Sequence, residues 1–296
     1  MTVIGITGAS GTLGRRTAQY VLDAHPPQDV VLFSRTPASL AEYTAAGAEA
    51  RQADFNRPDS LVESFSGVDV LLLISTDAVG QRRSQHEAAI AAAAAGGVTR
   101  IAYTSLANAD KEFPAKLRPL SDDHAATEEA LRAAGPSWTL LRNALYLDGS
   151  ADSWAHAVTT GTLITNNGSG RQAPITREDC AAAAAAVLLT DGHDEAVYEI
   201  AGQCLLDDVA IAAALTAVHG RPVEPVGVTD DDYESGLLAA GLPTEIASML
   251  TGFGQSIRAG LLETRLGDTE RLIGRTPTSI EQFLAAHLES NPQRRQ

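Results

Sequence analysis

Hydrophobic and polar positions alternate along this chain in two rhythms. Short, β-rich apolar runs are each followed by a stretch with helical periodicity. Val3–Thr7 (VIGIT) is the first run, and RRTAQYVLDA behind it reads as a helix. Val30–Ser34 (VVLFS) is the second, followed past Pro37 by a helix to about Ala46. AEARQAD ends a third strand near Ala53, and Pro58 opens a helix with Leu61, Val62 and Phe65 on one face. Val68–Ser75 (VDVLLLIS) is apolar throughout, as expected of a strand covered on both faces. Gln81–Ala95 predicts a long helix, Arg100–Ser105 (RIAYTS) a fifth strand, Ser121–Leu131 a helix capped by Ser121, and Ser137–Asn143 (SWTLLRN) a sixth strand.

Helical crossovers of this length join parallel strands, almost always right-handedly. The predicted class is therefore α/β, a Rossmann-type doubly wound parallel sheet. After Tyr146 the rhythm breaks, and polar residues and glycines cluster at Asn166–Gly170. VYEIA (Val197–Ala201) reads as a further strand and PVEPVGV as one more, within an otherwise helical remainder. Residues 1–148 are assigned to a dinucleotide-binding domain and 149–296 to a smaller, mainly helical C-terminal lobe on the substrate side. The stretch 173–202 is expected to return to the main domain.

Composition narrows the function. A formal net charge of −15 repels phosphate backbones and anionic membrane surfaces, so neither nucleic acid nor membrane is an expected partner. No apolar stretch reaches the roughly 20 residues of a spanning helix. Cys180 and Cys204 are the only cysteines, and no metal-ligand spacing is present, so no metal site is expected. A soluble cytoplasmic protein, monomer or homodimer, is the expectation.

Gly8, Gly11 and Gly14 form GxxGxxG between the first strand and first helix. There a glycine turn lets backbone approach a pyrophosphate, and the helix N-terminus offers unpaired N–H groups. An NAD-preferring site places Asp or Glu about 20 residues on, at the end of the second strand. Here Ser34 and Arg35 stand there, and a guanidinium suits a 2′-phosphate. NADPH is the expected cofactor, with NADH use left open. Other strand ends point at the same crevice: Asp54 and Phe55 at the adenine, Ile74 and Ser75 near adenosine and pyrophosphate, Thr104 and Ser105 near the nicotinamide, and Asn143 to Tyr146 beyond.

One feature of many such folds is missing. Short-chain dehydrogenases use a Tyr-x-x-x-Lys pair to relay a proton. The chain has only two lysines, Lys111 and Lys116, with Ala107 and Glu112 four residues before them. The register-equivalent helix carries His124 and Glu128 at that spacing.

The ordered set GASGTLG, SRTP, QADF, LLLIS with VGQR and QH behind it, AYTSL, LLRN with Tyr146, YEIAG and LIGR resembles the NmrA-like group of atypical short-chain dehydrogenases. Within that group it is most similar to the bacterial NADPH:quinone oxidoreductases, from the N-terminus to about Leu284. The resemblance implies NADPH in a cleft between the two lobes and two-electron reduction of quinones. It carries over Gly8, Ser10, Gly11, Thr12, Leu13 and Gly14 as pyrophosphate contacts and Arg35 as the 2′-phosphate contact. Asp54 and Phe55 carry over at the adenine edge, Ser75 and Thr104 in the cleft, and Asn143 and Tyr146 on the nicotinamide or substrate side. Such proteins often place a lysine four residues after the arginine. Here that position is Ser39, which weakens the NADPH preference.

Quinone reduction suits a site without the pair, because the product is a phenolate that water can protonate. Tyr146 and Asn143 are the expected positioning residues and His124 a candidate acid, with Trp154 and Phe113 as candidate pocket walls. Two other readings stand beside this one: a non-catalytic NAD(P)-binding sensor, and a reductase of another electrophile such as an enone or imine.

Overall fold

The computed structural model describes residues 2–78 and 80–290. Val79 of the VGQR motif and the polar tail 291–296 lie outside them.

Seven strands form one parallel sheet: β1 (Ile4–Ile6), β2 (Val30–Ser34), β3 (Glu49–Gln52), β4 (Val70–Leu73), β5 (Arg100–Leu106), β6 (Ser137–Asn143) and β8 (Ala196–Ile200). Their order is β3-β2-β1-β4-β5-β6-β8, reversing direction of growth beside β1. The continuous apolar strands follow from this arrangement, because successive side chains feed opposite cores. Ile4, Ile6, Leu32, Leu72 and Leu141 pack under α1 (Thr12–Ala24) and α7 (Arg177–Leu189). Val31, Phe33, Leu71, Leu73, Ile101 and Leu140 pack under α3 (Leu61–Phe65), α4 (Arg82–Ala95) and α5 (Arg118–Ala133). Each such fully buried side chain contributes about 1.5–3 kcal/mol relative to exposure. A short helix, α2 (Ala41–Ala45), links β2 to β3.

The second lobe contains α6 (Leu147–Thr160), β7 (Thr162–Thr165), α8 (Asp208–His219), β9 (Glu224–Gly227), α9 (Asp230–Ala239), α10 (Thr244–Arg258) and α12 (Ile280–Ser290). The strand expected in PVEPVGV is β9, and it pairs in parallel with β7, which the sequence did not reveal. Trp154, 5% exposed, sits in this lobe's own core with Leu215 and Leu284, so it packs rather than walls a pocket. Phe113, 1% exposed, is likewise core, between the loop after β5 and Ile257 and Leu262.

The chain does not divide cleanly at residue 148. Helix α7 and strand β8 lie on the main sheet, and α11 (Asp268–Ile273) packs on both of them. That helix start also seals the sheet's edge. The N–H of Glu199 donates to Asp268 at 3.0 Å, and the N–H of Ala201 donates to the Thr269 hydroxyl at 2.9 Å. A second tie is Asn108, at a left-handed φ of 54°, whose amide donates to the carbonyls of Leu261 and Glu263, both at 2.9 Å.

Helix α5 starts earlier than its sequence suggested. Pro119 occupies the first turn, and Ser121 is inside the helix, donating back to the Arg118 carbonyl at 3.1 Å. Ser121 is therefore not the cap, and His124 is not in the first turn. Proline's preference for that turn was the signal that outranks serine here.

Candidate active site

The carboxyl ends of β1, β4, β5 and β6 lie side by side along one end of the sheet, and the first thing built there is a phosphate cradle. Gly8 turns the chain at φ +61°. The Gly11 N–H donates to the Gly8 carbonyl at 2.9 Å, and Gly11 caps α1 without any side-chain partner. Thr12 and Leu13 open the helix behind it. A Cβ on Gly14 would stand 2.3 Å from the Gly8 oxygen, so only glycine lets α1 lie this close to the loop. The bare helix N-terminus and the close backbone fit a dinucleotide's pyrophosphate.

Beside the cradle, Ser34 is buried and its hydroxyl donates to that of Ser10 at 3.2 Å. Arg35 is exposed, with no ion-pair partner for its guanidinium among the described residues. Asp54 follows β3 and turns the chain by accepting the Asn56 N–H at 3.0 Å, while Phe55 lies half-buried against the sheet. On the other side of the loop, the Ile74 N–H donates to Thr7 and the Ser75 N–H to the Thr104 hydroxyl, each at 2.9 Å. These bonds hold the ends of β1, β4 and β5 side by side.

Asn143 and Tyr146 meet at the end of β6, where the asparagine amide donates to the tyrosine Oη at 3.0 Å. Burial raises the Tyr146 phenol above its usual value, so it stays protonated. Arg177, at the start of α7, lies over the Tyr146 ring at 4.6 Å. It is anchored through its own N–H to Asp148 at 2.9 Å. Sequence reasoning missed Arg177. Its position just after Thr176, which caps α7 by accepting the Asp179 N–H, was the available clue.

Two expected residues do not join this group. Ser105 turns its hydroxyl inward to Glu128 at 2.7 Å. His124 is 5% exposed and bonds through Nδ1 to the Tyr103 hydroxyl at 2.7 Å. Burial pushes it well below the ordinary histidine value, with Arg82 as a second cause. Tyr103 belongs to the core under α4 and α5, whereas Tyr146 packs on the core under α1 and α7. The expectation of His124 as an acid is thus corrected: it is a neutral core residue on the other side of the sheet. His86 is its neighbour in kind, accepting the Thr76 N–H at 3.1 Å and pairing with Thr127 at 3.0 Å.

The dehydrogenase lysine position is filled by Glu128, 1% exposed, which accepts two bonds from Arg142, at 2.9 and 2.7 Å. The remaining acidic partners of Arg142 are Asp110 and Glu199. This ion pair is structural, and it closes the site to acid–base chemistry of the Tyr-Lys kind.

Comparison with known proteins matches residues 8–191 to a family described as NAD(P)H-binding. The chain belongs to that family. It is 37% identical over 283 residues to quinone oxidoreductase 2 of Escherichia coli strain K12, covering 96% of this chain and 98% of that one. The crystal structure of the NADPH-dependent quinone oxidoreductase QOR2 of E. coli with NADPH superposes at a TM-score of 0.90, covering 97% and 99% of the two chains. A Citrobacter sp. triphenylmethane reductase with NADP(H) is 31% identical, with a TM-score of 0.88 over 96% and 99%. The NAD(P)H azoreductase of Xenophilus azovorans is 25% identical over 96% and 98%. The chain is thus an NAD(P)H-binding oxidoreductase of the Rossmann type, with full-length reductases as relatives. Among the described residues no helix is long and apolar enough to cross a membrane, and no group of three or more His, Cys, Asp or Glu could hold a metal ion.

Proposed function

We propose that this protein catalyses two-electron reduction of quinones, with the quinone lying against Asn143 and Tyr146. The observation that carries this reading is the pairing of a high-pKa tyrosine with Asn143, in a site whose usual lysine position holds a buried Glu128–Arg142 pair. NADPH, when bound, supplies the hydride. The glycine cradle and the β2 end would hold its phosphates, and the Ser75 N–H bond to the Thr104 hydroxyl ties the ends of β4 and β5 together.

The chain's own contribution is placement and electrostatics. Asn143 and the Tyr146 hydroxyl orient a quinone carbonyl oxygen by hydrogen bonds. As negative charge develops on that oxygen, Arg177 stands behind the ring of Tyr146 and stabilises it. The product phenolate has the basicity of an ordinary phenol, about pKa 10, so water protonates it. No side-chain acid is required. The net charge of −15 argues against a nucleic-acid partner; a cytoplasmic monomer or homodimer is part of the same proposal.

The deciding experiment mixes the purified protein with NADPH and a panel of benzo- and naphthoquinones, following loss of the nicotinamide absorbance. Turnover that falls in Asn143→Ala with NADPH affinity retained is the expected result. NADPH binding without turnover on any quinone would overturn the assignment and leave a dinucleotide sensor.

A further inference from the structure

Arg15 is the first residue after the last glycine of the loop, and it does not project freely into solvent. Its Nε donates to the Ser10 carbonyl at 3.1 Å, and its Nη2 donates to the Ser39 carbonyl at 2.9 Å. The guanidinium therefore bridges the glycine loop to the turn after β2. The same two segments are joined beneath it by the Ser34–Ser10 hydroxyl contact and by the Ala9 N–H donating to Phe33 at 3.0 Å. Ser34 also accepts the Thr36 N–H at 3.1 Å, which closes the turn that carries Arg35. In a Rossmann sheet the adenosine ribose lies across this junction, with its 2′ substituent at the end of the second strand.

Two cations thus belong to the segments that meet at this junction. Arg35 comes from the strand end with no acidic partner. Arg15 comes from the helix start, side chain 37% exposed, and uses three of its five N–H groups. Its third partner is Glu42, at the start of α2. Glu42 is itself 62% exposed and is the acidic group facing Arg15 from the element packed against it. A 2′-phosphate brought to this junction meets Arg15's remaining donors and competes with Glu42 for its charge.

We propose that Arg15 is the second cation of the 2′-phosphate site and, with Arg35, sets the preference for a phosphorylated over an unphosphorylated ribose, while Glu42 holds that preference down. The role differs from that of the glycine cradle: it discriminates between nucleotides rather than binding all of them. It rests on the adenine nucleotide lying over the glycine loop, which the experiment checks separately.

Calorimetric titration of adenosine 2′,5′-bisphosphate and of 5′-AMP into the full-length protein tests it without turnover. In wild type the bisphosphate is expected to bind more tightly. Arg15→Met is expected to weaken the bisphosphate about tenfold while leaving 5′-AMP within about twofold, the size of one charge-assisted hydrogen bond. Glu42→Gln is expected to shift the ratio the other way, by a few-fold, and this gain of binding cannot come from misfolding. Added salt narrows both differences. Equal losses of both ligands in Arg15→Met would make Arg15 a mere strut of the loop and overturn the proposal. So would a Glu42→Gln variant with an unchanged ratio. If wild type binds neither ligand, the nucleotide placement itself is wrong and Arg15's role falls with it.

Discussion

Glu128 and Arg142 form a two-point ion pair buried beneath the end of the fifth and sixth strands, at 2.9 and 2.7 Å. It occupies the register where related enzymes keep a catalytic lysine. Removing one partner leaves the other charge buried, which costs about 3–5 kcal/mol. Glu128→Gln should therefore lower the urea unfolding free energy by an amount of that order. The double change His124→Tyr with Glu128→Lys, which writes the usual motif back, should fold worse still, because the new ammonium faces Arg142. Recovery of alcohol dehydrogenase activity in that variant would refute the structural reading.

Acid should destabilise the protein through two histidines. Burial pushes His86 down to about 3 and His124 well below its ordinary value. In the unfolded chain both titrate near 6.5. Between those values the unfolded state binds more protons than the native one, so stability is lost as pH falls below about 6.5. The slope approaches about 2.7 kcal/mol per pH unit for two groups. Urea midpoints at pH 7, 6 and 5 measure it, and His124→Gln should roughly halve the loss. An unchanged slope would mean His124 is not neutral in the fold.

Tyr146 is predicted to keep its proton throughout the working range, since its phenol is raised. The turnover number should be flat from about pH 6 to 9, and Tyr146→Phe should cost less than about a hundredfold, the lower bound of general acid–base catalysis. A larger loss accompanied by a new pH dependence would make the tyrosine a proton donor.

Arg177 lies 4.6 Å from the Tyr146 ring. Arg177→Met should lower the turnover number about tenfold at unchanged NADPH affinity, the scale of one electrostatic stabiliser of developing charge. If NADPH affinity falls instead, the guanidinium serves the cofactor and not the quinone.

Gly14→Ala puts a Cβ 2.3 Å from the Gly8 oxygen. NADPH affinity, read by fluorescence quenching, should drop at least about tenfold from the strain of overpacking. Gly149→Ala, which meets nothing within 4 Å, is the matched control and should bind normally.

Local pattern explains what is legible in the amino-acid sequence alone. Apolar runs such as Val70–Leu73 report burial on both faces, and the glycine spacing reports a backbone approach, so sheet class and cradle were legible. What escaped depends on contacts distant in sequence. The fate of His124 is decided by Tyr103 across a strand, and Ser105 is drawn to Glu128 by a bond 23 residues away. Arg15 and Arg177 look like ordinary solvated residues at helix starts until Ser39 and Tyr146 are seen beside them. The start of α5 was misplaced because Ser121 and Pro119 both signal helix beginnings, and the proline prevails.

The sealing of β8 by Asp268 and Thr269 has a consequence for how the protein is made. An open strand edge invites pairing with another chain, which is a common route to aggregates. Here the groups that close it are encoded 69 residues beyond the strand residue they bond. A ribosome must therefore add about seventy residues after the strand before this margin is safe, and through that interval the nascent chain is a substrate for chaperones. Truncations between residues 201 and 267 should accumulate as insoluble material even though every strand of the main sheet is present.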